Sequence, residues 1–113
     1  MAERELRIKV YGRVQGVNFR YMVKRYCISE GINGYVTNKE DGSVEIATQG
    51  GEEKLKKLLE WIKSSPGFSK VEKIDTEWKK IGKKYNSFEI AYSDNFIIDK
   101  AKGIIALGKR ILR

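Results

Sequence analysis

Between Leu6 and Tyr92 the spacing of apolar residues switches back and forth between two periods. Leu6, Ile8 and Val10 alternate with Arg7, Lys9 and Tyr11, the period of two expected of a half-buried strand. From Phe19 onward the apolar residues are Phe19, Met22, Val23, Tyr26 and Cys27, which is one stripe of a helix. Asn18 is the expected N-cap of that helix and Gly31 its expected terminator. "GYVTNKEDGSVEIATQG" then reads as two short strands around a turn at 39–42, signalled by the Asp-Gly pair. Leu55, Leu58, Leu59 and Ile62 form a second helical stripe, preceded by Glu52 and Glu53 at the dipole's positive end and closed by Ser64-Ser65-Pro66-Gly67. Ile74, Thr76 and Trp78 share one face of a further strand, and Phe88, Ile90 and Tyr92 alternate in a last one. The order is βαββαββ, an α+β chain. Its economical packing is an antiparallel sheet of four to five strands with two helices on one face, in a split βαβ arrangement.

A chain of 113 residues supports one such domain. With 41% hydrophobic and 34% charged residues it reads as a globular chain. No run of about 18 apolar residues offers a membrane span. The charged start "MAERELRIKV" lacks the apolar core of a secretion signal, and the single Cys27 has no internal disulfide partner. The expected compartment is therefore the reducing cytoplasm. The net charge of +8 favours anionic partners without naming them.

Residues 93–113 stand apart from the domain, 1–92. Ile97, Ile98, Ala101, Ile104, Ile105, Ile111 and Leu112 follow helical spacing, among five basic and two acidic side chains. The expectation is a basic amphipathic C-terminal helical extension. It would dock on its own domain or on a second copy of the chain, with an anionic membrane or a frayed tail as alternatives. Gly103 and Gly108 would each weaken that helix by about 1 kcal/mol relative to alanine.

The strand-to-helix junction carries the chemistry. "GRVQGVNFR", residues 12–20, places Gly12 and Gly16 where backbone N–H groups can turn inward. A helix start follows, with its partial positive charge and unpartnered N–H groups. Arg20 falls in the first helical turn, off the Phe19 stripe, where its guanidinium can meet two oxygens of a phosphate. The stretch lacks the Gly-Lys-Ser/Thr ending of a nucleotide-binding P-loop. Spacing by itself leaves a phosphate cradle and a plain turn both open.

"GRVQGVNFR" resembles the signature of the acylphosphatase family, Gly-x-Val-Gln-Gly-Val-x-Phe-Arg. "GYVTNKEDGSVE" resembles that family's strand and hairpin, and "TQGGEEKLKKLLEWIKSSPGFSKVEKI" its second helix and the approach to the fourth strand. The likeness runs in register from about Leu6 to Tyr92. It implies a ferredoxin-like α/β sandwich that hydrolyses acyl phosphates to carboxylate and inorganic phosphate, with no cofactor. It also implies that Arg20 and the backbone of Gln15, Gly16, Val17, Asn18, Phe19 and Arg20 bind the substrate phosphate, and that Asn38 positions the attacking water. Tyr35 stands where many members have tryptophan.

The residues are compatible with that chemistry. There is no histidine in the chain, and no acid or cysteine inside the loop, so an obvious base or nucleophile is missing. An acyl phosphate has a carboxylate leaving group, and its hydrolysis asks mainly for positioning and charge stabilisation. No metal-ligand cluster is visible. Cys27 lies on the core stripe, and Arg13 reads as exposed loop charge. Gln15 is expected to fix the loop rather than to touch substrate, and "KKIGKK" at 79–84 to be a solvated connection. Trp61 falls off its helix stripe, whereas Trp78 is expected on the sheet. Two other readings remain: a catalytically idle domain of the same family, and a nucleic-acid module using Arg7, Lys9 and Tyr11 on the open sheet face. Ser43, Glu45 and Ala47 on the matching face of the next strand speak against the nucleic-acid module, so no nucleic-acid partner is expected.

Overall fold

The computed structural model describes residues 3–92 in full and the backbone of 96–99 and 103–106. The main sheet contains β1 (Glu3–Arg13), β2 (Asn33–Asn38), β3 (Val44–Gly51), β4 (Lys70–Lys79) and β5 (Phe88–Ala91), in the order β4-β1-β3-β2-β5. Helices α1 (Phe19–Glu30) and α2 (Glu52–Lys63) cover one face. Leu6, Ile8, Val10, Val36, Val44 and Ile46 meet Phe19, Val23, Cys27, Leu55, Leu58 and Ile62 there, all at most 1% exposed. The two periods of the sequence are the two sides of this core: strand residues two apart and helix residues three or four apart point at the same layer.

The helix ends follow their local chemistry. Gly31 adopts φ 70°, and the N–H groups of Gly31 and Ile32 donate to the carbonyls of Ile28 and Cys27, a Schellman closure. Asn18 departs from expectation. It occupies the N-cap position in a left-handed conformation (φ 66°), and its side chain makes no capping bond. In the β2–β3 hairpin Gly42 takes φ 92°, while the Asp41 carboxylate accepts from the Ser43 N–H (2.9 Å) and Lys9 (3.1 Å). Trp61 stacks on Tyr26, ring centroids 4.6 Å apart, and Trp78 pairs with Leu6 across β1–β4 on the core side.

Two expectations need correction. The sheet is mixed: β5 pairs parallel with β2, Gly34 opposite Phe88 and Thr37 opposite Ala91. The cause is the route of the chain. β4 ends beside Glu5, the end of the sheet at which β2 begins, so a crossing along that end can only start β5 parallel to β2. The helical extension is also overturned where the structure describes it. β6 (Phe96–Asp99) and β7 (Gly103–Ala106) form an antiparallel ribbon, Ile97 opposite Ile105 and Ile98 opposite Ile104. Paired isoleucines are β-branched and favour a strand, and Gly103 weakens the competing helix. The rest of 93–113, and with it the amphipathic face expected there, lies outside the described residues.

Residues 80–87 cross the sheet face opposite the helices. Gln49 is the anchor: its Nε2 donates to the Lys83 carbonyl (2.6 Å) and to Glu5 (3.0 Å), and its Oε1 accepts the Tyr85 N–H (2.9 Å). Tyr85 is buried against Ala47 and meets Tyr35 edge-on, at 5.9 Å between centroids. On the same face Arg7 is engaged by Glu5 and Glu45, and Lys9 by Asp41. The face proposed for a nucleic acid is thus partly roofed, and its cations are matched by acids.

Candidate active site

One end of the sheet collects every residue of interest. β1 runs out there at Arg13, β2 ends at Asn38 opposite Val44, and β5 ends at Ala91 beside Thr37. Loop 14–18 and the start of α1 continue from β1 at this end. Gly12 makes the exit possible. It sits at the register shift of the β1–β4 pairing with φ 127°, and a Cβ there would lie 2.1 Å from the Lys70 carbonyl oxygen. Val14 turns into the core, 1% exposed, and its N–H donates to the Gly12 carbonyl (3.1 Å).

Beyond Val14 the loop presents donors. Gly16 (φ 75°) and Asn18 (φ 66°) are left-handed on either side of Val17, the kind of alternation that makes an anion nest. No acceptor among the described residues takes the N–H groups of Gln15, Gly16, Val17 or Asn18. The first turn of α1 contains no acid. The positive end of its dipole is therefore not neutralised from within the helix.

Arg20 is half-buried in that first turn, and its guanidinium lies 5.5 Å from the centre of the Tyr92 ring. No carboxylate among the described residues pairs with it. Together with Val14, Gly16, Asn18, Phe19 and Tyr21 it lines a concavity of about 280 Å³, whose far wall is Ile90 and Tyr92. No acidic side chain among the described residues lines it. Arg13 is exposed and is not part of this lining.

Asn38 is half-buried at the end of β2 and is not among the lining residues. Its Oδ1 is buried without a hydrogen-bond partner among the described residues. Gln15 ties its neighbourhood to the loop: Nε2 donates to the carbonyls of Lys39 (2.8 Å) and Ser43 (2.9 Å). The fixing role expected of Gln15 is what its side chain does.

Cys27 is fully buried in the helix core, and burial pushes its thiol up, far from the range of a nucleophilic thiolate. Among the described residues no three His, Cys, Asp or Glu side chains converge as metal ligands would. That Tyr21, Ile90 and Tyr92 lie at this concavity was not expected from the sequence, where Ile90 and Tyr92 read only as alternating residues of the last strand. Tyr21 left a trace as an aromatic off the α1 stripe. Ile90 and Tyr92 left none, because only the parallel placement of β5 carries them to a loop far away in the chain.

The profile of the family described as Acylphosphatase matches residues 6–90. The chain is 35% identical over 88 residues to an acylphosphatase of Caldanaerobacter subterraneus subsp. tengcongensis, covering 78% of this chain and 98% of the relative. Identity to an acylphosphatase of Bacillus licheniformis is 42% over 88 residues, with the same coverage. The crystal structure of acylphosphatase from Bacillus subtilis superposes with a TM-score of 0.76 at 38% identity, covering 79% of this chain and 99% of that one. With the matched segment containing the loop, Arg20, Asn38 and the wall residue Ile90, the chain belongs to the acylphosphatase family of hydrolases.

Proposed function

We propose that the chain hydrolyses the carboxyl–phosphate bond of acyl phosphates, with Arg20 and the backbone of Gln15 to Arg20 holding the phosphoryl group and Asn38 orienting the water. The observation that carries this reading is the loop itself: consecutive N–H donors that no acceptor among the described residues takes, beside a guanidinium that no carboxylate among them pairs with. Such a cradle suits a doubly charged phosphoryl group. Its donors are aimed before the reaction starts, so they stabilise charge moving among the phosphoryl oxygens without reorganising. The water oxygen bonds to phosphorus while the P–O bond to the acyl group breaks, and the electron pair leaves on the carboxylate. The Asn38 carboxamide orients that water so that a lone pair points at phosphorus. An amide cannot take the proton, so a substrate oxygen receives it.

The machinery requires no metal and belongs to residues 1–92 in the cytoplasm. No helix among the described residues is long and apolar enough to cross a membrane. Self-association through residues 93–113 is the accessory part of the proposal. The relatives are matched over 98–99% of their own length by 78–79% of this chain, so their folds close without a counterpart of the remainder.

The test is hydrolysis of acetyl phosphate with and without EDTA, for the parent chain, Arg20→Ala and Asn38→Ala. Arg20→Ala should lose about 10²–10³ in kcat/KM, as for a lost oxyanion donor, together with inhibition by inorganic phosphate. Asn38→Ala should lower kcat and leave phosphate inhibition intact. Loss of phosphate inhibition in Asn38→Ala would refute the water-positioning role, and loss of activity in EDTA would refute the metal-free mechanism.

A further inference from the structure

The phosphate cradle accounts for only part of the concavity at the end of the sheet. Its lining also includes Tyr21, next to Arg20 on α1, and Ile90 and Tyr92 from the end of β5. Two of these are exposed aromatics, Tyr21 at 49% and Tyr92 at 68%, on a protein whose other large exposed apolar side chains among the described residues are Ile28 and Phe68. Exposed apolar surface grouped at the rim of a polar site is surface kept for a ligand. We propose that Tyr21, Ile90 and Tyr92 form the subsite for the acyl half of the substrate, and that they select acyl phosphates with apolar acyl groups over those carrying a second charge. This inference rests on the acyl phosphate reading of the loop and extends it to the leaving group.

The geometry follows from where Arg20 stands. Its guanidinium carbon lies over the Tyr92 ring, 5.5 Å from the ring centre, and shares the concavity with the loop residues Gly16 and Asn18. A phosphoryl group bound by the loop and Arg20 has its acyl substituent directed away from the N–H donors. The surface available to it on that side is aromatic and aliphatic. Arg20 is the one charged side chain among the described lining residues, and in this arrangement the phosphoryl group already takes it. A carboxylate at the far end of the acyl chain would lie against Tyr21 and Ile90 with no cation of the lining left to receive it, and would lose hydration without compensation. An ethyl, propyl or phenyl group would instead exchange water for apolar contact. Full burial of a methylene is worth about fourfold in binding; on a shelf whose tyrosines are half exposed, about twofold per methylene is expected.

Tyr21 and Tyr92 reach the site from different parts of the chain, one from α1 and one from the end of β5. Tyr92 also touches Arg20, so its removal can disturb phosphate binding. A loss of that kind falls equally on every substrate and cancels in a ratio of specificity constants. Tyr21 points out of the helix core, and its ring has a second contact, the Arg25 guanidinium at 5.7 Å. Its replacement leaves the fold intact.

The experiment measures kcat/KM of the full chain for acetyl, butyryl, benzoyl and succinyl phosphates, each checked against inhibition by inorganic phosphate. The expected order is benzoyl and butyryl above acetyl by about three- to tenfold, and succinyl at or below acetyl. In Tyr21→Ser and in Tyr92→Ser the benzoyl-to-acetyl ratio should fall at least threefold, while the phosphate inhibition constant of Tyr21→Ser stays that of the parent. Hydrolysis of all four at similar kcat/KM, or ratios unmoved in both variants, overturns the acyl subsite and leaves the phosphate site standing. A succinyl preference overturns it as well. Failure to hydrolyse any of the four overturns the reading of the loop, and the subsite with it.

Discussion

Gln15 and Lys39 are joined by a hydrogen bond of 2.8 Å from the Gln15 Nε2 to the Lys39 carbonyl, and the same nitrogen reaches the Ser43 carbonyl at 2.9 Å. One amide thereby clamps the anion loop to the turn that follows Asn38. The two proposed halves of the site, donors on the loop and Asn38 on β2, keep their spacing through this side chain. Gln15→Leu should cost about 0.5–1.5 kcal/mol, since the Lys39 and Ser43 carbonyls lose one donor but keep the Gly42 and Lys39 N–H groups. Turnover should fall further than stability implies, by about tenfold to a hundredfold, because catalytic geometry tolerates little displacement. Gln15→Glu should be worse than Gln15→Leu, as a carboxylate would face two carbonyl oxygens. Urea unfolding alongside acetyl phosphate turnover separates the two effects.

Gly16 and Gly34 should respond differently to alanine. Gly34, φ 145°, has the Ala47 carbonyl oxygen 1.8 Å from where a Cβ would lie, so Gly34→Ala must push β2 and β3 apart. A loss of several kcal/mol, or no folded protein, is expected. Gly16, φ 75°, has nothing within 4 Å, and Gly16→Ala should cost only the left-handed penalty, about 1 kcal/mol. Its effect should instead appear as weaker phosphate inhibition. Thermal unfolding and inhibition constants measured together check the contrast.

The hairpin after Asn38 should be acid-sensitive through Asp41. Hydrogen bonds from the Ser43 hydroxyl and N–H, and then the Lys9 ammonium, hold its carboxyl well below the usual range. A carboxyl depressed in the folded state stabilises it fully above the unfolded value near 3.9, and that contribution is lost as pH falls through the folded value. Asp41→Asn should therefore unfold at lower urea than the parent at pH 7, and the gap should narrow below about pH 4. A constant gap down to pH 2 would exclude this linkage.

Activity should lack the protein-borne limb that a histidine base produces between pH 5 and 8. The chain has no histidine, the Cys27 thiol is pushed up by burial, and Tyr35 is pushed up to about 12 by the same cause. The kcat profile should stay flat across this window once the substrate's own ionisation is accounted for. A bell centred there would require a base that the proposed mechanism does not contain.

Removing the extension should leave chemistry in place. A chain ending at residue 95 retains the loop and every described residue of the concavity, and it spans the segment matched by the family profile. Its kcat for acetyl phosphate should stay within about twofold of the parent, as expected for a change outside the reacting groups. Sedimentation of both forms tests self-association through 93–113: fewer protomers per particle on truncation supports it, and an unchanged number refutes it.

Wherever a local rule decides, the elements could be read in advance. Leu6, Ile8 and Val10 on one strand face, Phe19, Val23 and Cys27 on one helix face, and Gly31 ending α1 each depend on residues a few positions apart. The loop belongs to the same class: its glycines, its position before a helix and Arg20 in the first turn are all local. Other features depend on residues that are distant in sequence. That 80–87 partly roofs the sheet was hidden because Gln49, one of three polar residues in β3, supplies the bonds that hold Lys83 and Tyr85. A polar run looks like a solvated connection until its anchor is known. Residues 96–99 and 103–106 form a ribbon where their spacing suggests a helix, because isoleucine pairs two turns apart suit both and pairing partners decide between them.

By itself, then, the sequence determined the strands and helices of residues 3–91, the face each one buries, and the donors at the β1–α1 junction, since all of these are set by near neighbours. Tertiary structure alone decided that β5 lies parallel to β2, that Gln15 clamps the loop to the turn after Asn38, and that Ile90 and Tyr92 wall the concavity beside Arg20. These relationships join residues more than twenty positions apart. Their geometry follows from the route of the chain across the sheet, which no local spacing encodes.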